Sequence, residues 1–356
     1  MTDFSTRIES IGNALPEKRL TTKDLMKSCR HNIKVDMEEL TGIHERRVCS
    51  EGEDSFTLAR DAALDCLKFS SHKPEDLGLI INCSITKFDK GLSHRYEPPL
   101  SLSIKETIGA SGAINFDIQN ACAGMLTGVS ILDNYIRLGV VKCGMVVSGE
   151  YISSLNTNAA RTIRTIASKQ MASLTVGDAG AAVILERARD DEQGICVSEF
   201  TTLSKHSDLC LGRPCKDAPG ATMSTEARKI HRVAIADSPP ILEKALKHSG
   251  LTFDKIDYVI PHQTSERSIK SGARHMSERF GVKPRNIVMN LHDFGNTAST
   301  THFIALYKYL NEGRFKKDDN IMLLCFASGL VVGVVIFTMD ELVEKYGPGS
   351  KTEASK

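Results

Sequence analysis

Two stretches of this chain run through the same order of elements, and that duplication limits the fold more than any other feature. In the first, the turn Lys73-Pro-Glu-Asp feeds a buried run to Asn82. A strand then ends at Phe116–Ile118, a helix starts at Ala123, and an apolar strand covers Cys143–Ser148. Met125, Leu126, Val129, Leu132 and Ile136 recur in that helix at helical spacing. In the second, Phe253-Asp-Lys feeds the run Tyr258–Pro261, followed by a helix over Ile269–Phe280, a strand over Asn286–Asn290, a helix over Asn296–Leu310 and a strand over Asn320–Phe326. Gly139, closing the first long helix, matches Gly313, which lies 174 positions further on. That offset carries Cys122 onto Asn296. A repeat of this length predicts two copies of one βα unit packed as a pair. Strands alternating with helices predict a layered α/β fold with largely parallel sheets, whose reactive groups gather at strand carboxyl ends. The division expected is residues 1–186, residues 187–346 and a polar, Gly/Ser-rich tail from 347 to 356.

Three residues stand at such strand ends. Cys122 sits where a strand hands over to a helix, so unpaired N–H groups and the helix dipole bias its thiol towards thiolate. His262 follows the strand counterpart of Leu79–Ile81. Asn296 opens the helix equivalent to the one behind Cys122. Each alone reads as structural; together they predict one reactive cleft.

Composition excludes several alternatives. Of 356 residues, 41% are hydrophobic and 25% charged, with a net charge of +1, which offers neither a nucleic-acid nor a membrane-binding surface. The ten cysteines form no CxxC pair and no metal-ligand spacing, so no metal is expected. Met1–Ser10 carries charges and no apolar core, so no signal peptide is expected and the cytoplasm is the predicted compartment. Ile321–Met339 lacks charge for 19 positions, but Ala-Ser-Gly at 327–329 splits it. Two buried strands and a tight turn are predicted there rather than a membrane span.

Ile11-Gly-Asn-Ala-Leu-Pro, Thr41-Gly-Ile-His-Glu-Arg-Arg47, Asn120-Ala-Cys-Ala-Gly124, Val176-Gly-Asp-Ala-Gly-Ala181, Pro261-His-Gln-Thr, Gly295-Asn-Thr and Phe326-Ala-Ser-Gly follow one another in the chain. In that order they resemble a thiolase-superfamily condensing enzyme of the ketoacyl synthase III type. The resemblance implies a five-layered αβαβα fold, an obligate homodimer and a Cys122–His262–Asn296 triad. It implies acyl-CoA or acyl-carrier-protein thioesters as substrates, without a further cofactor. Cys122 would take the acyl group, and backbone N–H groups of Cys122 and Ser328 would hold the thioester oxygen. His262 and Asn296 would donate to the enolate of the second substrate, and Arg267 would dock a carrier protein.

Two departures refine this. Family members carry a Trp at the position of Asp36 and an Arg at that of Leu40, sandwiching the CoA adenine; this chain has no Trp. Glu97, in Tyr96-Glu-Pro-Pro, stands where an apolar residue usually crosses the dimer. A carboxylate there resembles the subgroup that joins two acyl chains: olefin-, pyrone- or resorcinol-forming ketosynthases. Desolvation between prolines and apolar walls would make Glu97 a working base in the partner's site. The expected activity is Claisen condensation of the Cys122-bound acyl group with a second acyl thioester. The alternatives are a priming synthase using a malonyl extender, and a catalytically silent partner subunit.

Overall fold

The computed structural model describes residues 4–188 and 194–347. The predicted tail therefore lies outside the described residues from 348 onward. Each half holds one five-stranded mixed sheet, and the two have equivalent strand orders. In the first, Thr6–Ala14, Ala179–Arg187, Cys143–Glu150, Leu79–Asn82 and Ile114–Asp117 lie side by side. In the second the order is Gly194–Thr202, Val331–Thr338, Asn320–Ala327, Tyr258–Pro261 and Asn286–Ile287. The last three strands in each order are parallel, and the remaining pairings are antiparallel. Ile321–Met339 is indeed two buried strands, and no helix among the described residues is long and apolar enough to cross a membrane.

Strand alternation creates the layers. Along Ala179–Arg187, residues 179, 181, 183 and 185 face a central core, while 182 and 184 face an outer one. Along Asn320–Ala327, residues 321, 323, 325 and 327 face that same central core, while 322 and 324 face a third. The central layer holds the helices Gly124–Arg137 and Thr301–Asn311, sandwiched between the sheets. The helices Ser55–Lys68 and Leu100–Ile108 cover the first sheet, and Pro239–Ser249 the second. This is the five-layered thiolase-like architecture. Strands buried on both faces explain the near-continuous apolar runs.

The repeat is real, but its register differs from the expected one. Gly139 and Gly313 do close the two central helices, with φ of 74° and 63°. The first helix has 14 residues and the second 11, so the offset drifts by almost a turn towards their starts. Each is preceded by a tight 3₁₀ turn, Ala121–Ala123 and Ala298–Thr300, whose first residue has a left-handed φ, 45° and 55°. The structural counterpart of Cys122 is thus Ser299, and Asn296 stands two residues before the turn rather than opening the helix. Thr297, Thr300 and Thr301 favour local hydroxyl bonding over helix, Thr300 donating to the carbonyl of Thr297.

The helix Ser55–Lys68 lies so close to the first sheet that only glycine fits beneath it. A Cβ on Gly149 would come within 2.0 Å of the Ser55 carbonyl oxygen, and one on Gly180 within 2.2 Å of that of Leu58. Both obstacles are backbone and cannot rotate aside. Gly149→Ala should therefore destabilise the protein by about 1–3 kcal/mol or more in denaturant titration. An unchanged midpoint would show that the helix lifts freely.

Candidate active site

The elements carrying the predicted residues meet where the halves join. The turn Ala121–Ala123 packs against the turn Ala298–Thr300 and the strand Asn320–Ala327. Half-buried Cys122 is the middle residue of its turn, between Ala121 in left-handed backbone and Gly124. Non-glycine residues pay roughly 1–2 kcal/mol for that conformation. Gly124 is required, since a Cβ there would meet the Cys83 carbonyl at 2.9 Å. Burial pushes the Cys122 thiol well up, reinforced by the nearby Cys210 and by Glu150. Burial thus opposes the thiolate bias expected from the helix N-terminus.

His262 follows the strand Tyr258–Pro261, and its backbone N–H donates to the Leu324 carbonyl at 2.8 Å. Gln263 anchors the turn: its amide donates to the carbonyls of Pro261 and Val288 and accepts from the Asn290 N–H. Burial first, and then His302, hold His262 far below the ordinary imidazole range, at about 3. His262 is therefore neutral at physiological pH, a hydrogen-bond donor rather than a charged acid.

Asn296 belongs to the second half but is held by the first. Its backbone N–H donates to Thr175, its carbonyl accepts from Gly177, and it bridges Val176 in parallel fashion. The Asn296 side-chain oxygen accepts the Ala298 N–H at 3.0 Å, which leaves its amide nitrogen free to donate outward. Gly295 before it has φ 64°, and a Cβ there would lie 2.5 Å from the Thr175 carbonyl. The predicted motifs on the other side of this joint are structural. Buried Arg46 donates to the carbonyls of Leu20 and Leu174. Asp178 accepts from the N–H groups of Cys49 and Ser153 and from the Ser153 hydroxyl. Ser328 lies in the turn between the strands Asn320–Ala327 and Val331–Thr338.

Sequence reasoning missed Glu150. It ends the strand Cys143–Glu150, wholly buried, and accepts from Ile85 N–H (2.9 Å), Thr86 N–H (3.2 Å) and hydroxyl (3.1 Å), Ser148 hydroxyl (3.2 Å) and Ser299 hydroxyl (2.5 Å). Burial raises its pKa and these donors oppose the rise. Through Ser299 it ties the counterpart of the Cys122 turn to the first sheet. A Glu closing an apolar strand reads as a solvent terminus; only Ser148-Gly-Glu, continuing the buried run, hinted otherwise.

Glu97, by contrast, is exposed in its own chain, three residues before the helix Leu100–Ile108. Its own chain thus does not supply the expected desolvation. Arg267 is exposed at the start of the helix Glu266–Phe280. Asp36 caps the short helix Met37–Thr41 by accepting the Glu39 N–H, and Leu40 is exposed.

Residues 116–204 match the 3-oxoacyl-[acyl-carrier-protein] synthase III family profile, and residues 246–339 match the profile of that family's C-terminal part. A β-ketoacyl-[acyl-carrier-protein] synthase III from Clostridium tetani is 30% identical over 347 residues, covering 93% of this chain and 97% of that protein. The crystal structure of the Aquifex aeolicus synthase III superposes with a TM-score of 0.79 at 25% identity, over 94% of this chain and all of that one. OleA from Xanthomonas campestris, at 22% identity, shares the fold with a TM-score of 0.82, over 95% of this chain and 99% of that one. The duplicated five-layered fold, with a cysteine, a histidine and an asparagine at the joint of its halves, thus belongs to a known family: the chain is a member of the β-ketoacyl-[acyl-carrier-protein] synthase III family, acyltransferases that form carbon–carbon bonds.

Proposed function

We propose that this synthase joins two acyl thioesters, with Glu97 of one protomer serving as base in the site of its two-fold partner. Cys122 attacks the first thioester, loses its proton and releases CoA or carrier thiol. Backbone N–H groups of Cys122 and Ser328 hold the developing oxyanion. Glu97 removes an α-proton from the second thioester, and His262 and the Asn296 amide donate to the enolate oxygen. The enolate carbon attacks the acyl-Cys122 carbonyl, the C–C bond forms, and the Cys122 thiolate leaves and recovers a proton. A neutral His262 suits this, because a donor in a dry site stabilises an enolate without competing as an acid.

The observation that carries the reading is the placement of Glu97. Among the described residues it has no hydrogen-bonding or ionic partner in its own chain. The helix that follows is tied to the outer strand of the first sheet: the Leu100 and Ser101 N–H groups donate to Asp117, at 3.3 and 3.0 Å. That strand, Ile114–Asp117, is a sheet edge with Ile114 52% exposed, and it leads directly to Cys122. An exposed apolar edge invites pairing with a copy of itself. A homodimer built on this edge brings each Glu97 loop beside the partner's Cys122 turn. Carrier-protein docking fits the exposed cations Arg228 and Arg232 of the helix Ala227–Asp237, beside Arg267 on Glu266–Phe280. The second reading, a priming synthase using a malonyl extender, is favoured by the names of the relatives at 25–30% identity. Decarboxylation then creates the enolate and Glu97 has no task.

Glu97→Gln discriminates between the two. With two acyl-CoA substrates it should leave acylation of the enzyme intact and slow condensation by about 10²–10⁴. Wild-type condensation by the variant, or acceptance of malonyl extenders alone, would favour the priming reaction. His262→Ala and Asn296→Ala should each acylate normally yet condense about 10²–10³ more slowly, the usual cost of one preorganised donor. Equal loss of both half-reactions would point to a structural role instead.

The protonation state of His262 is separately testable. With His262 held at about 3, single-turnover condensation by acylated enzyme should show no inflection near the ordinary histidine value of ~6.5. A step centred there, lost in His262→Ala, would mean that His262 titrates normally.

A further inference from the structure

Behind His262 lies a second imidazole that the condensation does not use. His302, wholly buried in the helix Thr301–Asn311, stacks on His262 with ring centroids 5.9 Å apart and planes at 30°. Cys325, equally buried, points inward from the strand Asn320–Ala327. One ligand atom from each of the three lies within 4.8 Å of the other two.

Hydrogen bonding assigns the nitrogens. His302 Nε2 stands 3.1 Å from the Leu324 carbonyl, which can only accept, so Nε2 carries the proton and Nδ1 presents a lone pair. The Nδ1 atoms of both His262 and His302 are buried and take no hydrogen bond from the described protein atoms. If His262 makes its proposed donation to the enolate from Nε2, its Nδ1 is also a lone pair. Two such acceptors cannot both be satisfied by the single S–H of Cys325. Buried unsatisfied acceptors cost roughly 1–3 kcal/mol each, so this arrangement needs an explanation.

We infer that His262, His302 and Cys325 form a binding site for a thiophilic divalent cation of the Zn²⁺ class. Imidazole and thiolate donors both suit Zn²⁺, and three protein donors leave a fourth position open to water or substrate. Zn–N bonds of ~2.1 Å and a Zn–S bond of ~2.3 Å require the donor atoms to sit roughly 3.5 Å apart, so the side chains close by about 1 Å. On binding, the Cys325 S–H bond breaks, its proton passes to the buffer, and two nitrogen lone pairs and the thiolate coordinate; no redox change occurs. The ligands come from a post-strand turn, a helix and a strand, so no spacing in the sequence betrays them. Occupation holds His262 away from the enolate and stops condensation while sparing acylation of Cys122. That consequence rests on the role proposed for His262; the binding itself does not.

The test titrates metal-free, full-length protein with Zn²⁺ in competition with a chromophoric chelator, and uses Co²⁺ as a spectroscopic probe. The expected result is one equivalent per chain, with a thiolate-to-cobalt charge-transfer band. Cys122→Ala should retain both, whereas Cys325→Ala and His302→Leu should weaken binding at least about tenfold and Cys325→Ala should lose the band. Cys325→Ser and His302→Gln, checked by circular dichroism, serve where the first variants fail to fold. No stoichiometric binding, or binding lost in Cys122→Ala but kept in Cys325→Ala, overturns the site. Zinc should also block product formation from pre-acylated enzyme, measured against each variant's own metal-free rate. Binding through Cys325 without that block leaves the metal site standing and overturns the assigned role of His262.

Discussion

Desolvation is the constraint on which the rest of this site depends. Around Cys122, burial drives five ionisable groups towards neutrality: the thiols of Cys122 and Cys325 upward, the imidazoles of His262 and His302 downward, and the Glu150 carboxyl upward. A charge-poor pocket is poor at stabilising a resting thiolate. It is well suited to a reaction in which negative charge appears briefly on an oxygen and must be met by fixed donors, because such contacts are worth far more in a dry site than in water. The helix N-terminus behind Cys122 then acts on charge as it forms, not on the resting sulfur.

That dryness comes from the duplication. Two halves bury one face of each sheet against a shared pair of helices, and the reactive turns sit where those helices begin. The second half's Asn296 is aligned by the first half's Thr175–Gly177, and the first half's Glu150 holds the second half's Ser299. Neither half completes the site alone. Positioning across the joint sets residues far apart in the chain side by side, Glu150 against Ser299 and Asn296 against Val176.

Much of this was legible in the residues, for physical reasons that also show where legibility stops. Runs such as Leu79–Asn82 and Ile321–Phe326 are buried on both faces, so their apolar character announced strands, and the two-fold programme followed. The strand Gly194–Thr202, the hairpin Cys210–Pro214/Ala221–Thr225 and the helix Ala227–Asp237 went unread, because they are half-exposed and carry mixed patterns. The register of Asn296 was misread because hydroxyl-rich Thr297–Thr301 forms a 3₁₀ turn where periodicity alone suggested helix. The joint nature of the pocket hid Glu150, His302 and Cys325, whose meaning depends on neighbours distant in the chain. Glu97 was conspicuous as a residue type, but its surroundings lie beyond a single chain.

The proposed chemistry requires that Cys122 carry the acyl group, in a site formed between the halves. Intact-protein and peptide mass spectrometry after exposure to a panel of acyl-CoAs tests it most directly. One acyl group per chain is expected, on the peptide bearing Cys122, discharged by a second acyl thioester with release of a β-keto product. A label on Cys83 or Cys143 instead, or an acyl group on Cys122 that no second thioester discharges, would contradict it.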